Sequence, residues 1–183
     1  MDYLDLNIEE LHKLLVEKKV TPLELTKLAI EKAKKDETNS FETICEEEAL
    51  AMAKELLNPE EDNIFWGIPY VAKDNFSTKG IRTTASSNIL KDYVPVFDAT
   101  VIEKLKEAKA ILIGKATLDE LAMGGTGTTG HKGVTFNPYD KSHKYMVGGS
   151  SCGSASAVAS GIVPFALGSD TGDSVRKPAS YAD

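Results

Sequence analysis

The stretch Gly148–Arg176, GGSSCGSASAVASGIVPFALGSDTGDSVR, decides how the chain is read. It is rich in serine and glycine and contains no histidine, so it must first be told apart from a flexible linker. In a linker the small residues would run on without apolar pattern. Here they alternate with Ala155, Ala157, Val158, Ala159, Ile162, Val163, Phe165 and Leu167, which gives the segment apolar surface to bury. Small residues from Gly153 to Ala157 let a helix approach a neighbouring backbone closely, and the glycines around them permit dihedrals that other residues avoid. The pattern predicts a helix near 154–160, then a strand through VPFALGS ending at Asp170.

Upstream of this segment the order is strand, helix, strand. GIPYVAK (67–73) reads as a short strand entered by a turn, Asp98 as the N-cap of the helix ATVIEKLKEAKA, and ILIG (111–114) as an apolar strand. A short helical TLDELAMGG then leads into a polar loop reaching about Tyr145. Nearer the N-terminus the pattern is helical. Asn7 precedes IEELHKLLVEKK, where Ile8, Leu11, Leu14 and Leu15 share one face, and Thr21-Pro22-Leu23-Glu24 is a capping sequence that opens a helix to about Lys35. A third helical pattern runs from about Glu46 to Leu57. The charged outer faces of these helices, such as EKAKKDE, read as solvated surface, with a docking face as the alternative. The fold expected is α/β: a helical N-terminal region (1–60), then part of a sheet buried on both faces and covered by helices (61–183).

With 183 residues, 42% of them hydrophobic and 27% charged, the composition is that of an ordinary globular domain. A formal net charge of −7 argues against a surface built to neutralise many phosphates, so nucleic acid would be met through a partner. No run approaches the roughly 18 apolar residues of a membrane span, and Met1 is followed by the acidic DYLDLNIEE; a cytoplasmic location is expected. Cys45 and Cys152 are far apart, without a CxxC or a histidine cluster, so neither a disulfide framework nor a metal site is expected.

Three chemistries compete for the serine-rich loop. Gly148 and Gly153 have the separation of a phosphate-binding GxxxxGK[ST] loop, but Ser154 stands where the lysine is needed. Gly149-Ser150-Ser151-Cys152-Gly153 satisfies the GxSxG of a hydrolase elbow with Ser151 as nucleophile, yet His12, His131 and His143 all precede it, so this reading holds only with a permuted triad or one completed by residues beyond Asp183. The third chemistry uses a lysine as base, which requires burial or a nearby positive dipole to bring its pKa down towards neutrality. Lys73 ends an apolar strand and is followed by Asp74 and Asn75, side chains able to hydrogen-bond its ammonium or fix its rotamer. Taken alone, such a lysine reads more simply as a strand end pointing into water.

The conjunction of VAKDN (71–75), GGSSCGSA (148–155) and GSDTGDSVRKPA (168–179) resembles the amidase signature family. Within that family, GIPYVAKDNF, ILIGKATLDELAMGG, NPYD and VPFALGSDTGDSVRKPASY are most similar to the glutaminase subunits of glutamyl-tRNA(Gln) amidotransferases. The resemblance covers nearly the whole chain in order, and the family separates its two serines by the interval that separates 150 from 174. It implies Ser174 as nucleophile, Ser150 as the bridging serine of a cis-peptide segment and Lys73 as terminal base. The backbone N–H groups of Thr171, Gly172, Asp173 and Ser174 would then hold the oxyanion. It also implies glutamine as substrate and the amidotransferase B and C subunits as partners. The tRNA would be reached through the B subunit, which would also use ATP and magnesium, with no cofactor on this chain.

Two residues depart from the family pattern. Cys152 stands where many members carry glycine, and Asp173 stands for the second glycine of DTGGS, where a positive φ would strain it. A carboxylate about 5 Å from an oxyanion would repel it by roughly 3 kcal/mol at an effective dielectric near 20. The Asp173 side chain is therefore expected to turn away and pair with Arg176 or Lys177. Because the family fold continues beyond the nucleophile loop, the chain is also expected to be an N-terminal portion, inactive by itself. The alternatives are an inert folding or assembly fragment, or a simple amidase of the same family.

Overall fold

The computed structural model describes residues 3–183. Among these residues the centre is a four-stranded sheet in the order β1-β3-β2-β4, formed by β1 (Phe41–Ile44), β2 (Pro69–Lys73), β3 (Ile111–Ala116) and β4 (Phe165–Leu167). β2 runs parallel to both β3 and β4, while β1 is antiparallel to β3. Every residue of β2 and β3 is buried, which accounts for their continuous apolar runs. This is the α/β class, with helices leading into a mixed sheet.

Among the described residues six α-helices surround the sheet: α1 (Ile8–Val16), α2 (Pro22–Lys34), α3 (Glu46–Glu55), α4 (Thr100–Glu107), α5 (Cys152–Ala159) and α6 (Arg176–Tyr181). The first two begin at reciprocal capping boxes, Asn7 with Glu10 and Thr21 with Glu24, as their sequences require. Leu11, Leu15, Leu25, Ile30 and Ala53 from α1–α3 pack in one cluster with Val71, Ile111 and Ile113. Ile102 and Leu105 of α4 pack with Tyr70, Ala72 and Leu112 in another. Alternation along β2 and β3 thus feeds two layers, and each fully buried Leu or Ile contributes about 1.5–3 kcal/mol.

Several elements differ from the sequence reading. β1 lies in a region whose pattern is helical; four residues, FETI, are too few to show a period, and their pairing with β3 is non-local. Asp98 does not cap α4, whose N-cap is Ala99 without a side-chain bond. Instead the Asp98 carboxylate accepts from the Lys79 N–H at 2.7 Å and pairs with Lys106 at 2.6 Å, tying the preceding loop to the helix. TLDELAMGG holds only a 3-10 turn, Glu120–Ala122, because Leu121 and Ala122 take left-handed backbone angles (φ 54° and 60°). α6 has no counterpart in the sequence reading. No helix among the described residues is long and apolar enough to cross a membrane.

α5 starts at Cys152 and reaches the sheet as closely as its small residues allow. A Cβ on Gly153 would lie 2.5 Å from the Ser40 carbonyl oxygen and 2.6 Å from the Thr117 nitrogen. Both contacts are backbone, so Gly153→Ala is expected to destabilise the fold by about 1–3 kcal/mol or more. An unchanged urea midpoint for that variant would contradict the close approach.

Candidate active site

The end of β2, the turn into α5 and the loop after β4 converge on Lys73. Its side chain is completely buried. Nζ lies 2.7 Å from Ser150 Oγ, 2.9 Å from Ser169 Oγ and 3.1 Å from the Ser169 carbonyl oxygen. Among the described residues no carboxylate forms an ion pair with it. Burial therefore dominates and pushes the pKa down to about 8, against smaller upward pulls from Cys152, Asp119 and Asp170. A buried amine with hydroxyl and carbonyl neighbours is able to exist neutral near physiological pH.

Asp74 does not serve Lys73, contrary to the sequence reading. Asp74 follows the last residue of β2, its N–H still bonded to the Ala116 carbonyl at 2.9 Å, and the strand's alternation carried one residue on turns its side chain away from Lys73. Its carboxylate accepts from the Thr84 N–H at 2.7 Å and the Thr84 hydroxyl at 2.6 Å, and pairs with Lys115 of β3 at 3.2 Å. Burial raises the Asp74 pKa and lowers that of Lys115, with their mutual attraction opposing both shifts. Two buried lysines thus sit at neighbouring strand ends, one with a carboxylate and one without. Asn75 reaches the Lys73 cluster only through Ser169, donating from Nδ2 to the Ser169 hydroxyl at 2.9 Å.

Ser150 is fixed by the turn that carries it. The Gly149–Ser150 peptide bond is cis, and the Ser150 carbonyl accepts from the Asp119 N–H at 3.2 Å. The Asp119 carboxylate accepts from the N–H groups of Thr126, Gly127, Thr128 and Thr129 at 3.0–3.1 Å. Burial would raise its pKa, but the Gly127 and Thr129 N–H groups outweigh that and hold it below the ordinary value. A Cβ on Gly149 would fall 2.0 Å from Asp119 Oδ2, so glycine is required where this carboxylate presses on the turn.

Ser174 is buried, and its carbonyl accepts from the Ser151 N–H at 3.0 Å, which pins the loop after β4 beside Ser150. The Ser174 hydroxyl itself makes no hydrogen bond among the described residues. Lys73 and Ser150 are therefore joined directly, whereas Ser174 is held beside them by its backbone. The N–H groups of Thr171, Gly172, Asp173 and Ser174 likewise donate to nothing among the described residues. They remain available to an incoming anion.

Asp173 occupies no left-handed conformation, so the expected strain does not arise. Its carboxylate pairs with Lys177 at 2.5 Å. Arg176 instead grips Asp170, from Nε at 3.0 Å and from a terminal nitrogen at 3.2 Å, and also donates to the Gly172 carbonyl. The Arg176 contact, reinforced by the Val175 N–H, holds the Asp170 carboxyl far below its usual range. A cleft of about 820 Å³ opens beside β4, with Ser151, Gly168 and Val175 in its wall.

Ser169, Asp119 and Lys115 join the site without a signal that marks them as site residues in the sequence, whereas Asn75, expected beside Lys73, acts on it through Ser169. Alternation on β2 is the signal that separates Asp74 from Lys73. The Ser169 contact joins residues 96 apart in sequence and has no local signal.

The family described as Amidase matches residues 24–183. The chain belongs to the amidase signature family. Among curated relatives, the glutamyl-tRNA(Gln) amidotransferase A subunit of Oenococcus oeni is 51% identical, the match covering 98% of this chain and 37% of the relative. The corresponding A subunit of Streptococcus pneumoniae is 49% identical over 99% of this chain and 38% of its own. The crystal structure of the glutamyl-tRNA(Gln) amidotransferase A subunit from Thermotoga maritima superposes with a TM-score of 0.79 at 41% identity, covering 100% of this chain and 38% of that one. A peptide amidase in complex with the competitive inhibitor chymostatin gives 0.88 at 27% identity, covering 100% and 39% respectively. This amidase-signature chain thus spans less than two-fifths of the length of the curated relatives it matches.

Proposed function

We propose that this chain carries the Ser-Ser-Lys machinery of a glutaminase belonging to a tRNA-dependent amidotransferase. The observation that carries the reading is the buried Lys73 amine, without a carboxylate partner, 2.7 Å from the Ser150 hydroxyl. As Ser174 Oγ attacks the carboxamide carbon, its proton passes to Ser150 Oγ, and the Ser150 proton passes to neutral Lys73. The free N–H groups of residues 171–174 receive the oxyanion, each donor being worth about 2.7–4 kcal/mol in the transition state. Collapse breaks the C–N bond, the proton returns along the same path, and ammonia leaves. Water then cleaves the Ser174 ester by the same relay, giving glutamate.

Glutamine as the amide, and ammonia delivery for converting glutamyl-tRNA(Gln) to glutaminyl-tRNA(Gln), follow from the likeness to the amidotransferase relatives. In this reading the B and C subunits of the amidotransferase are the partners, and ATP, magnesium and tRNA belong to the B subunit. The net charge of −7 agrees with tRNA being held elsewhere.

The test is covalent labelling with 6-diazo-5-oxo-norleucine or a fluorophosphonate. It is run on the 183 residues alone and with the remaining part of the Oenococcus oeni relative supplied in trans. One adduct on Ser174 when the remaining part is present, abolished by Lys73→Ala, is the expected result. An adduct on Ser151, or labelling that survives Lys73→Ala, would overturn the assignment.

A further inference from the structure

We propose that Asn75 is a positioning residue of this site, acting through the Ser169 hydroxyl to keep the lone pair of neutral Lys73 directed at Ser150. The inference rests on the Ser-Ser-Lys reading above. It starts from the three oxygens around Nζ: Ser150 Oγ at 2.7 Å, Ser169 Oγ at 2.9 Å and the Ser169 carbonyl at 3.1 Å. A neutral amine has two N–H groups and one lone pair for these three places. The carbonyl accepts only, so it takes one N–H. Either hydroxyl is chemically able to donate to the lone pair, and the relay works only if Ser150 does so. If Ser169 donated instead, Ser150 would receive an N–H and its proton would have no acceptor.

Asn75 breaks this symmetry. Its Nδ2 donates to Ser169 Oγ at 2.9 Å, while Ser150 receives no comparable bond from an amide. With N–H groups arriving from both Asn75 and Lys73, the Ser169 oxygen has both lone pairs filled, and its proton points away from the amine. Ser169 then accepts from Lys73 before the proton transfer and after it. The Asn75 Oδ1 is buried without a partner, so the side chain's hydrogen bonding within the described residues is directed at Ser169. Without Asn75 the Ser169 hydroxyl is free to turn its proton onto the neutral amine, a bond that ammonium cannot accept and that therefore favours the uncharged form.

Lys73 is also faced by Cys152 at the start of α5, by Asp119 after β3 and by Asp170 after β4, and none of these is altered in the variants below. The experiment is a double-mutant cycle read by the ¹⁵N titration of Lys73 Nζ in the 183-residue chain, which needs no catalytic activity. Asn75→Leu is expected to lower the Lys73 midpoint by at least about half a pH unit, because the freed Ser169 proton favours the neutral amine. In the Ser169→Ala background the same substitution is expected to change it by less than about 0.2 unit. Asn75→Asp serves if the leucine variant fails to fold. Its carboxylate accepts the Ser169 proton, leaves the hydroxyl an obligatory acceptor, and raises the midpoint by about one unit, more than in the Ser169→Ala background. Equal shifts in both backgrounds, or no shift with a folded Asn75→Leu chain, would overturn the role of Asn75. An ordinary midpoint near 10.5 in the unmutated chain would instead overturn the Ser-Ser-Lys reading itself.

Discussion

Lys73→Ala is expected to lower the rate of ammonia release from glutamine by about 10²–10⁴-fold, the range for losing a positioned general base. Lys73→Arg is expected to do the same, since a guanidinium keeps its proton and has no lone pair to offer Ser150. The charge is conserved in that variant, so its failure would separate base catalysis from electrostatic support. The pH dependence follows in sign. Burial holds the Lys73 pKa at about 8, and in the proposed relay the reactive form is the neutral amine. Below that value the rate is expected to fall about tenfold per pH unit, and above it to level off. Both measurements are made on the 183-residue chain with the remaining part of the Oenococcus oeni relative added in trans. A Lys73→Arg variant with most of its activity would rule out the relay.

The second large effect concerns stability. Asp74 and Lys115 are both completely buried and pair at 3.2 Å, with Thr84, Thr83 and the Phe76 carbonyl satisfying their other valences. Removing one member leaves a charge in a low-dielectric interior without its partner. Asp74→Ala or Lys115→Met is therefore expected to destabilise the fold by about 3–5 kcal/mol. Replacing the pair together, as Asp74→Leu with Lys115→Met, is expected to recover most of that loss, because two ions no longer have to be desolvated. Urea denaturation of the three variants checks this. A double variant as unstable as the sum of the singles would show that the pair acts through the Thr84 loop rather than through charge.

The two lysines also show what is legible in the sequence. The apolar run PYVAK announces a buried strand ending in Lys73, and the capping sequences at Asn7 and Thr21 set the start of α1 and α2 to the residue. The small residues after Gly148 announce a helix packed tightly on its neighbour, and the contacts of Gly153 explain why. β1 escapes because four residues carry no period and their partner strand lies some seventy residues away. Adjacency in sequence suggests Asp74 as the companion of Lys73, but strand alternation sends the two side chains to opposite faces and gives the carboxylate to Lys115. Ser169 has no reason to meet Lys73 in its own segment, since that contact exists only once β2 and β4 are paired.

The most direct measurement is the titration of Lys73 itself, by ¹⁵N resonance of its Nζ in the folded chain, assigned with Lys73→Arg. A midpoint near 8 that moves up to the ordinary lysine value in urea is expected, because burial without a carboxylate partner is what lowers it. A midpoint near 10.5 in the folded chain would mean that the amine stays charged throughout the physiological range, and that Ser150 has no base to receive its proton.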